Sequence, residues 1–192
     1  MRLIVGLSGA TGAIYGIRIL EVLSNIPDIE THLVISEAGK ETIERETTWT
    51  VAEVEALASY VHDNQDIGAS ISSGSFETEG MVIIPCSIKT MSSIASSYNA
   101  NLMTRAADVT LKEKRKLVLV VRETPLHLGH LRRMAEVAEI GAVILPPMPA
   151  FYHYPKVIDD IINQTVGKVL DQFHIKHNLF ERWKGLRVRA KK

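Results

Sequence analysis

The chain has 192 residues, 46% of them hydrophobic, and its 22 Lys and Arg balance 22 Asp and Glu. That length can bury a core of useful size and makes one domain, 1–192, the expectation. The charge balance argues against a general nucleic-acid binder, and no run approaches the ~20 apolar residues of a membrane span. Cys86 is the single cysteine, so no internal disulfide can form and a reducing cytoplasm is the expected compartment. A polar turn at Ser8 interrupts the N-terminus before an apolar leader could develop. The basic residues at the other end, Arg182, Lys184, Arg187, Arg189, Lys191 and Lys192, read as a solvated tail over 177–192.

The first sixteen residues carry the strongest local pattern. Leu3, Ile4 and Val5 begin an apolar run over 3–7, which enters the turn Gly6-Leu7-Ser8-Gly9-Ala10-Thr11-Gly12. From Ala13 the apolar residues Ile14, Ile17, Ile19, Leu20 and Leu23 recur at a helical period, predicting a helix over 13–23. A strand that passes through such a turn into a helix leaves backbone N–H groups at the positive end of the macrodipole, which suits a phosphate. The spacing is neither G-x-G-x-x-G nor G-x-x-x-x-G-K-[ST], so neither nucleotide fingerprint is met. Ser8 and Thr11 add hydroxyls that suit a single terminal phosphate. The same residues also describe a tight βα turn whose small side chains serve packing.

A second apolar run, 31–35, ends at Ser36 and Glu37. A dinucleotide site wants an acid at such a tip; Ser36 fits poorly and Glu37 sits one residue late. Residues 63–79 then lose all periodicity and are rich in serine and glycine, which reads either as a flap over a ligand or as plain disorder. The run 81–84 leads into Pro85-Cys86-Ser87-Ile88-Lys89-Thr90, a second hydroxyl-bearing turn opening a helix over 87–96. Two such turns could enclose a mononucleotide from both sides. Cys86 has no base beside it and reads as a small buried residue.

The helix over 102–114 carries Arg105 and Lys112, seven apart and so on one face, with Asp108 nearby. Exposed charge with an i,i+3 pair is the plainer account. After the run 117–121 come Arg122, Glu123, Thr124 and Pro125. Adjacent residues at a strand tip point to opposite sides, so one can bind an anion while the other faces a reacting centre; the alternative is a surface ion pair. His127 and His130 share one turn of the helix over 128–140, but no third ligand of suitable spacing accompanies them. A short run at 142–145 and the aromatic loop Phe151-Tyr152-His153-Tyr154-Pro155 precede a last helix over 157–173, where Lys168 edges the apolar stripe. Lys168 either snorkels to solvent or reaches a pocket made with that loop. Five apolar strands alternating with helices imply an α/β fold, a parallel sheet covered on both faces, whose ligands bind at the carboxyl ends of the strands where strand order reverses.

In order along the chain, S-G-A-T-G, Pro85-Cys86-Ser87, Asn101-Leu102 with Arg105-Ala106-Ala107-Asp108, Leu111-Lys112-Glu113-Lys114, Arg122-Glu123-Thr124-Pro125-Leu126, Gly141 through Pro147 and Phe151-Tyr152-His153 form an ordered set. That set resembles the UbiX/Pad family of flavin prenyltransferases over nearly the whole chain. The resemblance implies a Rossmann-like or flavodoxin-like subunit of a homo-oligomer, a dodecamer, that binds FMN as the molecule to be modified. The implied reaction needs no metal and joins a dimethylallyl group from dimethylallyl monophosphate to N5 and C6 of FMN. The prenylated FMN then serves a UbiD-type decarboxylase. By the same resemblance Gly9, Ala10, Thr11, Ser36, Ser87, Ile88, Lys89, Thr90 and Arg122 contact FMN. Tyr152, Lys168 and Arg105 hold the dimethylallyl phosphate, and Glu123, Lys112 and Glu46 are the catalytic set. Relatives often carry tryptophan where this chain has Ile67, and arginine where it has Lys168. Two other classes stand beside this one: a flavin-dependent decarboxylase acting directly on an acid, and a non-catalytic FMN carrier.

Overall fold

The structure is a computed structural model and describes residues 1–183 and residue 185. Of the expected basic tail, Arg182 falls within these residues; Lys184, Arg187, Arg189, Lys191 and Lys192 lie outside them. In chain order the elements are β1 (Arg2–Leu7), α1 (Ala13–Ser24), β2 (Glu30–Ile35), α2 (Glu37–Glu46), α3 (Val51–Glu55), β3 (Tyr60–His62), β4 (Gly80–Cys86), α4 (Ile88–Ala95), α5 (Leu102–Lys112), β5 (Lys116–Val121), α6 (Leu128–Glu139), β6 (Val143–Ile144) and α7 (Ile158–Gln172). The six strands form one parallel sheet in the order β3-β2-β1-β4-β5-β6. This is a doubly wound α/β architecture of the flavodoxin-like and Rossmann-like kind, and its strand order is the Rossmann one.

Alternate strand residues feed two cores. Leu3, Val5 and Leu7 face α1 and α7 through Ile17, Leu20, Val166 and Val169. Ile4, Met81, Ile83 and Leu119 face α4, α5 and α6 through Ile94, Met103, Ala106 and Val137. Burial on both faces is why the strands read as continuous apolar runs instead of alternating ones. Pairing of Leu7 with Ile35, Gly6 with Ile83 and Cys86 with Val121 aligns the tips of β1, β2, β4 and β5 along one edge. Strand order reverses between β1 and β4, so a crevice opens there.

Three elements were not legible as periodic runs: α2, α3 and β3. Helix α2 is mostly polar and buries only Gly39 and Ile43, so it has no apolar stripe to read. Its start is set by Ser36, whose Oγ accepts from Gly39 N at 3.1 Å, and that of α3 by a capping box of Thr50 and Glu53. The strand expected over 142–145 is only Val143–Ile144, because Pro146 and Pro147 lack the N–H groups to continue the ladder.

Segment 63–79 is not structureless: it includes a 3₁₀ turn at Ser70–Ser72. Ile71 is buried, Asn64 accepts from Leu102 N and Met103 N, and Arg115 donates to Gly74 O and Phe76 O. Arg105 Nε donates to Ser72 O at 3.2 Å. These bonds tie the segment to α5 and to Arg115, which directly precedes β5.

Candidate functional site

The turn after β1 is built by tight packing. A Cβ at Gly9 would collide with Ala38 of α2, and Gly12 has φ +99°, a conformation that favours glycine. Ser8 is 2% exposed; its Oγ donates to Pro85 O at 2.9 Å and accepts from Ser87 N at 2.8 Å. It therefore ties the two hydroxyl-bearing turns together, and its hydroxyl is not free for a phosphate. The α1 N-terminus is taken as well: Glu46 Oε2 accepts from Gly12 N at 2.7 Å and from Ala13 N at 3.3 Å. A carboxylate thus complements that end of the macrodipole in this structure. The same bonds explain why Glu46, remote in sequence, stands beside Thr11.

The second turn is open. Ser87 Oγ accepts from Thr90 N at 3.2 Å and donates to Thr90 Oγ1 at 3.1 Å. Ile88 N and Lys89 N have no partner among the described residues, and both lie at the N-terminus of α4, directly beside the β1–β4 crevice. Ser36, on the other side of β1, donates its N–H to Leu7 O at 3.0 Å and caps α2.

At the tip of β5 a cavity of about 510 Å³ is lined by Thr11, Gly12, Tyr15, Arg122, Glu123 and the 146–149 rim. Arg122 N donates to Cys86 O at 3.0 Å, which fixes its backbone to the end of β4. Its guanidinium has no ion pair or hydrogen bond with any described residue, and Glu123 Oε1 accepts from Thr124 N at 3.0 Å. The two neighbours are thus not an ion pair: a free cation and a carboxylate border one cavity. Cys86 is fully buried, and desolvation pushes its thiol far above the ordinary range, as befits a packing residue. Burial also raises the Tyr15 phenol above its usual value, against the opposing Arg122 charge. Tyr15 and the proline rim are the lining residues that sequence reading missed; Tyr15 stands three residues past the turn, on the α1 face nearest β5.

The remaining expected residues do not join this cavity within one chain. Arg105 faces Ser72 O and pairs with Asp108 at 3.4 Å. Lys112 pairs with Glu113 at the far end of α5, beside Gly74 and the start of β5. Helix α5 runs against the strand direction, so its last residue sits at the edge opposite the strand tips. Tyr152 belongs to a separate cleft with His153, Arg182 and Trp183. Lys168 Nζ stands 3.7 Å from Asp171 Oδ2, and Asp171 binds Arg182 twice, at 2.6 and 3.0 Å. His127 and His130 stack with ring centroids 3.5 Å apart, and His127 Nδ1 caps α6 by accepting from Gly129 N. Ile67 is half exposed.

Large apolar side chains remain uncovered around these patches: Met148 at 72%, Phe151 at 68%, Tyr154 at 84% and Ile158 at 76% exposure. Surface of this kind marks an interface between proteins.

A doubly wound sheet with free helix N–H groups at its switch point and an unpaired arginine at the next strand tip has the make-up of a site for a phosphate-bearing ligand such as a mononucleotide. The family model described as Flavoprotein matches residues 1–170. Flavin prenyltransferase UbiX of Escherichia coli K12 is 65% identical over 186 residues, covering 96% of this chain and 98% of that protein. The crystal structure of AnUbiX (PadA1) in complex with FMN and dimethylallyl pyrophosphate is 49% identical, with a TM-score of 0.94 over 97% of this chain and 98% of that one. The dodecameric FMN-dependent UbiX-like decarboxylase of Escherichia coli O157:H7 is 51% identical, with a TM-score of 0.95 over 96% of this chain and all of that one. The chain belongs to the UbiX family of flavin prenyltransferases.

Proposed function

We propose that this chain transfers a dimethylallyl group from dimethylallyl monophosphate to FMN, forming bonds at N5 and C6 and releasing phosphate. The observation that carries the reading is the presence, in one cavity, of an unneutralised Arg122 and a Glu123 carboxylate that makes no ion pair among the described residues, next to the open N-terminus of α4. FMN supplies the nucleophilic positions and is consumed as a substrate. Ile88 N and Lys89 N, with the Ser87 and Thr90 hydroxyls, suit its phosphate, and Ser36 closes that end of the crevice. Gly9, Ala10 and Thr11 let the ligand approach the backbone, and Arg122 supplies the complementary charge. Glu123 is placed to receive the proton lost from C6 when the carbon–carbon bond there closes after the N5–carbon bond has formed, as a general base.

The phosphate leaving group needs cations, because charge develops on it as the allylic C–O bond breaks. Arg105, Lys112, Tyr152 and Lys168 are the residues proposed for it, and in one subunit they stand outside the cavity. Their assignment therefore requires a neighbouring copy to bring them to the Arg122 side. The uncovered apolar surface and the dodecameric state of the 51% identical relative support such an assembly. A UbiD-type decarboxylase is the proposed recipient of the product.

The test is anaerobic incubation of purified protein with reduced FMN and either dimethylallyl monophosphate or the pyrophosphate. A flavin heavier by one prenyl unit is expected with the monophosphate. Unmodified flavin from both donors would overturn the transferase reading and leave a carrier. Carbon dioxide released from an aromatic acid by this protein alone would favour direct decarboxylation.

A further inference from the structure

Helix α7 carries an acid where its own dipole disfavours one. Asp171 is the penultimate residue of the helix, at the negative end of the macrodipole, and the last turn holds no basic residue to offset it. Compensation comes from beyond the helix. Arg182 grips the carboxylate with both prongs, Nη2 donating to Oδ1 at 2.6 Å and Nη1 to Oδ2 at 3.0 Å. His177 Nε2 lies 3.1 Å from Oδ1, and Leu179 N donates to His177 Nδ1 at 3.3 Å. With Nδ1 accepting, the proton of the neutral ring sits on Nε2 and is aimed at Asp171. One turn earlier, Lys168 Nζ stands 3.7 Å from the same carboxylate.

This grip folds the chain back along the helix. His174 turns the backbone at φ +56°, and Ile175 is buried in the core that α7 shares with α1. The rings of His177 and Phe180 then lie over Gly167, where a Cβ would stand 2.6 Å from His177 Cε1 and 2.5 Å from Phe180 Cε1. Residues 175–183 thus form a strap on α7, and its end reaches the loop between β6 and α7. There Trp183 meets Tyr152 edge to face, ring centroids 6.0 Å apart, and with Arg182 and His153 they line a cleft of about 220 Å³. Tyr152 has no strand ladder or helix to fix it; beside the adjacent His153, Trp183 is its aromatic partner among the described residues. We propose that Asp171 is a positioning residue for the phosphate donor: by holding Arg182 it sets Trp183 against Tyr152 and fixes that ring before the donor binds. The proposal rests on the reading that Tyr152 holds dimethylallyl phosphate. A ring already fixed need not be ordered at binding, so the latch acts on donor affinity and leaves FMN and the chemical step alone.

Kinetics with dimethylallyl monophosphate, FMN dissociation constants and melting temperatures are measured for the full-length protein, Asp171→Asn, Arg182→Met and the double variant. Each single substitution should raise the donor KM about tenfold, the upper scale for ordering one side chain at binding. Both kcat and the FMN constant should stay within about twofold. The double variant should be no worse than the worse single one, because both substitutions break the same pair. Arg182→Lys keeps the charge without the fork and should recover only part of the loss. In a Trp49→Phe background Trp183 is the remaining tryptophan, and acrylamide should quench it more in Asp171→Asn than with Asp171 intact. An unchanged KM in both single variants beside a lowered melting temperature would make the grip a structural tie and overturn the proposal. A KM that falls in Asp171→Asn alone would show the acid acting by restraining Lys168, and additive losses in the double variant would deny the pairing; either overturns it. Equal quenching with and without Asp171 would overturn the latch alone. Wild-type protein that binds FMN yet makes no product from the donor would bring down the donor reading and the proposal with it.

Discussion

Removing the Glu46 carboxylate tests the proposed phosphate placement at two levels. Helix α1 has no acidic residue in its first turn, and Gly12 offers no side-chain cap, so Glu46 alone serves its terminal N–H groups among the described residues. Loss of a cap costs about 1 kcal/mol, and loss of the charge at the dipole's positive end adds about 0.5 kcal/mol in this exposed setting. Glu46→Ala should therefore destabilise by about 1.5 kcal/mol, or roughly 3–6 °C in Tm for a chain of this size. Glu46→Gln keeps an acceptor and should lose about a third of that. FMN affinity is the sharper readout. If the flavin phosphate sits at α4, Glu46→Ala leaves the FMN Kd within about twofold, while prenylated product falls because the carboxylate beside Thr11 is gone. If the phosphate competes for α1, removal of the resident anion should tighten FMN by an order of magnitude. Tighter FMN binding with an unchanged Tm would refute the placement outright. The assays are thermal unfolding of the flavin-free protein and a fluorescence titration, with product scored anaerobically by mass.

Glu123→Gln should retain FMN but slow product formation by about 10²–10⁴-fold, the scale of a lost general base; loss of flavin instead would make Glu123 structural. Lys112→Ala should impair use of dimethylallyl phosphate while flavin occupancy stays normal, since Lys112 stands at the opposite sheet edge of its own subunit. Ile158→Asp places charge on a 76% exposed apolar residue and should shift light scattering from an assembly larger than a dimer to smaller species. Acid should loosen the sheet edge at β2 and β3. His32 Nδ1 and His62 Nε2 share a 2.9 Å bond that needs one donor and one acceptor, and Glu30 takes the other side of His32. Burial, then the neighbouring imidazole, lowers the His62 pKa against the weaker pull of Asp66. The unfolded chain therefore binds the proton first, and stability falls as pH drops below the ordinary histidine value near 6.5. Melting curves from pH 7 to 5 should show this loss, and His62→Gln should flatten it; an equal slope in the variant would discount the pair.

The sequence by itself determined the sheet, four of the strand tips and most of the helices. Strands buried on both faces must be continuous apolar runs, and helices packed on one face must repeat their apolar residues every turn. The turns after β1, β4 and β5 were legible because the end of each such run is a position on the ligand-binding edge, whereas the FMN and catalytic roles of their residues, and of Ser36, came only from the family resemblance. Helices α2 and α3 were hidden because they are held by caps and by one buried residue each beyond glycine, so no stripe betrays them. Only the tertiary structure could decide the rest. The pairing of Ser8 with Pro85 and Ser87, and of Glu46 with Gly12, joins residues 77, 79 and 34 apart in the chain. Those long-range bonds cap α1 from within the chain and leave the first N–H groups of α4 without a partner among the described residues. The same holds for Tyr15, which the order of strands brings into one cavity with Arg122, and for Lys112, whose helical face says nothing of which sheet edge it reaches. Periodicity reports which side of an element is buried; hydrogen-bond partners and the direction of an element within the sheet are fixed only when the chain closes on itself.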